Sequence, residues 1–135
     1  MSTEWYLQAH SSGGEQFIPP NAIQSVLSDY QSKTEEKCVV VTLPEGDVDF
    51  YVDLSIEVSN LIIARPIESA ALYRIIYEIM QCGRFVFFAP EAKFPIILSY
   101  ETVDHLPESM LKALSKPQIA DSLETFSGLL KEMYA

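Results

Sequence analysis

The chain has 135 residues, 48% of them apolar and 21% charged, and its 9 Lys+Arg against 19 Asp+Glu leave a formal net charge of -10. Disorder would need fewer apolar residues, and a disulfide scaffold would need more cysteines than Cys38 and Cys82. Apolar runs such as Leu61 to Ala64 and Phe85 to Ala89 fall far short of the roughly 20 residues that span a bilayer, and residues 1–135 read as one domain large enough to bury a core without metal.

Glu4 to His10 reads as a first strand, closed by the breaker cluster Ser11-Ser12-Gly13-Gly14. Pro19-Pro20 then opens a helix, with Asn21 and Gln24 at capping-box spacing and Ile23, Val26, Leu27 and Tyr30 on one face, ending near Lys33. The β-branched run from Cys38 to Leu43 predicts a central strand, and Pro44-Glu45-Gly46-Asp47 a turn. Strict alternation follows. Val48, Phe50, Val52, Leu54, Ile56 and Val58 are apolar, while Asp47, Asp49, Tyr51, Asp53, Ser55, Glu57 and Ser59 fill the positions between. Such a period of two predicts a strand with one face on the core and the other in water, with a bend near Ser55 as an equally legal break. Ser59-Asn60 serves as a turn, and Leu61 to Ala64 as the returning strand.

The strongest helix signal runs from Ser69 as N-cap to Cys82, with Gly83 as the residue that closes it. It carries two apolar stripes. Leu72, Ile75, Ile76 and Ile79 form one, and Tyr73, Tyr77 and Met80 the other, so a sheet covers one side and something else, such as a second protomer, the other. Arg84 to Ala89 reads as a buried strand, Pro90 to Lys93 as a turn and Pro95 to Tyr100 as its antiparallel return. Pro107 starts a helix with Met110, Leu111 and Leu114 inward, and Pro117 restarts one with the stripe Ile119, Leu123, Phe126, Leu130 and Met133. The expected order is β-α-β-β-β-α-β-β-α-α: an α+β fold with a mostly antiparallel sheet and helices packed on one face.

Catalytic signals are weak. Asp47, Asp49 and Asp53 share one side of a strand, but the calcium-loop pattern needs Gly and Glu where Val52 and Val58 stand, and no cofactor or metal site is expected. Glu101, Asp104 and His105 share a loop without a fourth ligand, and His10 is the only other histidine. Cys38 and Cys82 sit where unreactive core cysteines sit, and Gly13-Gly14 lacks the spacing of a phosphate loop. The chain therefore reads as a binder and not an enzyme.

The nine basic residues are scattered singly, which disfavours nucleic acid and anionic lipid. Between Glu35 and Glu57 seven carboxylates (Glu35, Glu36, Glu45, Asp47, Asp49, Asp53, Glu57) face only Lys37, a field that steers a cationic partner inward. Fifteen aromatics supply rigid anchors. Asp47, Asp49, Tyr51, Asp53 and Glu57 are the expected partner-binding residues, and Tyr73, Tyr77 and Met80 the candidate dimer interface. The absence of a basic and apolar leader at Met1 to Trp5, together with two unpaired cysteines, points to the cytoplasm.

In size, acidity and element order the chain is similar to two bacterial classes. One is the immunity proteins, which neutralise antibacterial toxins by covering a cationic site with carboxylates. The other is the type III secretion chaperones, acidic homodimers that bind an effector protein and whose helix-strands-helix-strands-helix order looks like this chain from Asn21 onward. The N-terminal strand and the helical end interrupted at Lys116-Pro117 favour the first.

Overall fold

The computed structural model describes residues 4–134. Nine strands and four α-helices follow in the order β1 (Glu4–Ser11), β2 (Gly14–Glu15), α1 (Pro20–Leu27), β3 (Ser32–Glu35), β4 (Cys38–Leu43), β5 (Gly46–Tyr51), β6 (Asn60–Ala64), α2 (Ala70–Met80), β7 (Phe85–Phe88), β8 (Ile96–Ile97), a 3-10 turn (Tyr100–His105), α3 (Glu108–Ala113), β9 (Gln118–Ile119) and α4 (Leu123–Glu132). The sheet runs β3-β4-β5-β6-β1-β7-β8-β9, with β2 hairpinned onto the end of β1. All pairings are antiparallel except β8 with β9, so the architecture is α+β with a mostly antiparallel sheet.

Strand β1 lies at the centre. It pairs with β6 through Glu4 to Gln8 and with β7 through Tyr6 to Ala9, so β6 and β7 run parallel with β1 between them and α2 crossing over. The β1–β2 hairpin closes through Ser12 (φ 51°) and Gly13 (φ 83°), two left-handed residues whose twist suits a two-residue turn.

Alternation along the strands sends Trp5, Leu7, Val39, Val41, Val48, Phe50, Leu61, Ile63, Phe85 and Phe87 to one face, where α1, α2 and α4 cover them. Helix α2 buries Leu72, Tyr73, Ile75, Ile76, Ile79 and Met80, each such side chain contributing about 1.5–3 kcal/mol of transfer free energy. Its start follows the expected chemistry. The Ser69 hydroxyl accepts from Leu72 N at 3.3 Å. Gly83 acts differently from expectation. Its φ is not left-handed; the residue is needed because a Cβ there would collide with the Ile18 side chain and lie 2.9 Å from Gln16 Oε1.

Not every helix lies on the covered face. Val86, Ile97 and Leu106 form a small second cluster on the other side, packed by Phe88, Val103 and Met110, so the 3-10 turn and α3 sit opposite the three longer helices. Only Met110 of the expected α3 stripe joins that cluster, and Leu111 is 41% exposed.

Other boundaries move for local reasons. Helix α1 begins at Pro20 with Pro19 as N-cap and no side-chain cap, and ends at Leu27, because Ser32 to Glu35 leave it to form the edge strand β3. Strand β4 is thus flanked by β3 and β5 and is next to the edge, not central. The return strand shrinks to Ile96–Ile97, and Gln118–Ile119, expected in a helix, instead pairs parallel with it. Helix α4 starts later, at its own cap: the Ser122 hydroxyl accepts from Thr125 N at 3.1 Å.

Candidate functional site

The alternating segment 47–59 is where the sequence placed its binding face, and its second half is not a strand. Strand β5 ends at Tyr51. Val52 N donates to the Lys37 carbonyl at 3.2 Å, one step further along the pairing with β4, while the pairing with β6 stops at Tyr51–Ile62. Asp53 Oδ1 then accepts from Ser55 N at 3.0 Å and from Ser55 Oγ at 2.5 Å, an Asx turn that competes with extended backbone. Those two bonds to the ionised carboxylate hold Asp53 below the usual aspartate range. The loop returns at Val58, which exchanges two 2.8 Å backbone hydrogen bonds with Ile18.

The consequence is a surface depression. Val52 and Val58 turn inward, while Ile56 (60% exposed), Phe17 (56%) and Tyr51 (46%) stay outside around an open hollow of about 420 Å³, floored in part by Ile62 and rimmed by Lys37, Asp53 and Glu57. Three large apolar side chains are thus left in water at one concave place, with carboxylates at its edge.

The expected binding residues thus separate. Tyr51, Asp53 and Glu57 line the hollow. Asp47 is exposed at the start of β5, outside it. Asp49 is not a solvent carboxylate: it is 8% exposed, and its Oδ2 accepts from Arg65 Nη2 at 2.7 Å. A charge already matched and nearly enclosed cannot steer a partner. Phe17 and Ile56 were missed by sequence reasoning, Ile56 because the alternation assigned it to the core. The sequence signal that exposes them is Asp53-Leu54-Ser55, the spacing of an Asx turn inside an apparent strand.

The candidate dimer residues find cover within the chain. Tyr73 is 6% exposed and Met80 1%, and the Tyr77 ring meets Phe126 of α4 with centroids 5.9 Å apart. Phe126 also sits edge-on to Phe87 of the sheet at 5.9 Å. At Tyr77 the second stripe of α2 therefore packs on α4.

No family profile, curated protein or solved structure matches this chain. The chemistry must be read from its own residues. Among the described residues, no three of His, Cys, Asp and Glu stand together where they could share a metal ion. His105 Nδ1 accepts from Ser12 N at 3.0 Å and its Nε2 lies 3.5 Å from Glu101, so this pair ties the β1–β2 hairpin to the 3-10 turn. Burial pushes the thiols of Cys38 and Cys82 above the ordinary cysteine value, keeping both protonated at neutral pH, away from nucleophilic chemistry. Among the described residues no helix is long and apolar enough to cross a membrane.

Proposed function

We propose that the chain is a non-enzymatic protein-binding module that recognises a basic protein through the hollow around Tyr51, acting as an immunity-type protein that neutralises a cationic bacterial toxin by direct contact. One observation carries this reading: Phe17, Tyr51 and Ile56 stand exposed together at a concavity whose rim bears Asp53 and Glu57. Aromatic and aliphatic anchors supply affinity when desolvated, and the rim carboxylates supply approach and orientation. The overall charge of -10 adds a long-range pull on a cationic partner. The alternative, a homodimeric secretion chaperone joined through Tyr73, Tyr77 and Met80, no longer has the bare helix face that suggested it, because α4 occupies that face.

The test is a panel of cationic secreted antibacterial toxins from the native host, titrated calorimetrically and co-expressed for growth rescue. One toxin should be neutralised at one-to-one stoichiometry. Tyr51→Ala should weaken that complex by about 2 kcal/mol, and Asp53→Lys with Glu57→Lys should slow association, most visibly at low salt. A panel in which nothing binds, or a complex indifferent to all these changes, would sink the proposal.

A further inference from the structure

The face of the sheet opposite the main core carries more apolar surface than the hollow uses. Strand register sets Tyr51 beside Ile62, Ile62 beside Tyr6, and Tyr6 beside Phe88, one residue from each of β5, β6, β1 and β7. All four point to the same side. The Tyr6 and Phe88 rings stack with centroids 5.3 Å apart, and among the described residues no helix covers the row between Tyr51 and Tyr6. With neighbouring strands about 4.8 Å apart, three spacings make a row roughly 14 Å long.

Each end of the row opens into a hollow. At one end is the depression beside Tyr51; at the other is a second, of about 340 Å³, between Tyr6, Phe88 and the Ala113-Leu114-Ser115 end of α3, with Glu91 at its rim. The charges beside this track are unbalanced. At the Tyr51 end Lys33 and Arg65, cations of this face, lie 3.8 Å from Glu35 and 2.7 Å from Asp49 respectively, which leaves Lys37 against Asp53 and Glu57, whereas the far hollow, with Glu91, has the exposed Lys93 and Lys116 close to its lining residues in the chain.

We propose that the element recognised is a cationic amphipathic helix of the partner, laid across β5, β6, β1 and β7 with its apolar side chains on the row and its ends at the two hollows. This rests on the protein-binding reading above and deepens it by naming what is bound. These four strands are paired along both edges, so an incoming strand finds no free backbone ladder here. The half-open stretch of this row between Tyr51 and Tyr6 is instead completed as the main core is completed, by a helix packed on the sheet. A row of roughly 14 Å corresponds to about nine residues of α-helix, between two and three turns, with an apolar side chain contributed by each turn. The unmatched carboxylates beside Tyr51 select Lys and Arg at that end of the helix.

The probe is a synthetic Leu/Lys amphipathic peptide of about 14 residues, titrated into the isotopically labelled full chain and followed by amide chemical shifts, beside a Leu/Glu peptide of the same pattern. The Leu/Lys peptide should shift residues near Tyr51, Ile62, Tyr6 and Phe88 together along one saturating curve, while the Leu/Glu peptide leaves them unmoved. Ala113→Arg, a change at an exposed position that fills and charges the second hollow, and Tyr6→Ser should each weaken binding by at least about tenfold. Absence of saturable binding, equal binding of the Leu/Glu peptide, or shifts confined to the first hollow would overturn the inference. A toxin complex lost on Tyr51→Ala but indifferent to Ala113→Arg and Tyr6→Ser would overturn this inference alone and leave the proposed function standing.

Discussion

Replacing Gly83 by Ala sets two physical effects of opposite sign against each other. A glycine with an ordinary negative φ should gain about 0.4–1 kcal/mol of stability from this change, because alanine restricts the unfolded chain. Here the added methyl would meet the end of the Ile18 side chain closer than any real methyl contact, with Ile18 Cγ1 at 3.3 Å and Gln16 Oε1 at 2.9 Å. Neither neighbour yields freely. Ile18 is 3% exposed and bonded through its backbone to Val58, and Gln16 Oε1 accepts from Arg84 N at 2.7 Å. Overpacking of this kind costs about 1–3 kcal/mol, so the net expectation is a loss of about 1–2 kcal/mol. Urea unfolding at constant m-value measures it. The decisive control is Ile18→Val, which removes the methyl nearest the clash: in that background Gly83→Ala should cost less than half as much. A stabilised Gly83→Ala protein, or an equal penalty in both backgrounds, would refute the packing argument. Because Ile18 anchors the loop at Val58, Gly83→Ala should also loosen the hollow beside Tyr51.

Three further outcomes are expected. His10 is 6% exposed, and burial lowers its pKa below the ordinary 6.5, while the backbone of Gly14 and the charge of Glu15 oppose that shift. The unfolded chain therefore takes up this proton first: stability is full above pH 6.5, falls as pH drops below it, and levels once folded His10 is protonated. His10→Leu, in a setting that retains Glu15, Arg84, Glu101 and His105, should flatten that part of a urea-midpoint profile, and an unaltered slope would assign it to carboxylates. Asp49→Lys should destabilise the fold by on the order of 3 kcal/mol, because it puts a cation into a nearly closed site beside Arg65; a chain that melts as before would show Asp49 to be a free surface group. Phe126→Ala should cost about 3–5 kcal/mol in thermal or urea melts, since its fully buried ring joins Tyr77 to Phe87, and a cost below about 1 kcal/mol would mean that α4 is not docked there.

Where the sequence carried a local signal, it was readable. Helix α2 announces itself through the Ser69 cap and stripes at helical spacing, and β4 through Val39-Val40-Val41. Edge strand β3 could not be read that way, because all four of its residues are exposed and no apolar period marks them. The alternation through Val58 misled for a different reason: Val52 and Val58 are buried by a loop that folds back, and parity alone cannot distinguish that from a strand. Asp49 has strand parity with exposed Tyr51, and only the approach of Arg65 from the end of β6 encloses it. The apolar stripes of α2 and α4 each demanded cover. That they cover each other is a fact of tertiary contact which neither stripe contains.

The place of β1 has a consequence for how the chain is made. The first of the described strands in chain order is the seam of the sheet: β6 and β7 touch it on either flank and do not touch each other. Apart from His10 and Ser11, which pair early with β2, its two edges must therefore wait, one for β6 at Asn60–Ala64 and the other for β7 at Phe85–Phe88, so that this aromatic segment stays half-open until the chain through Phe88 exists. Deleting this segment would remove none of the helices, yet it would leave two half-sheets with nothing to zip them together.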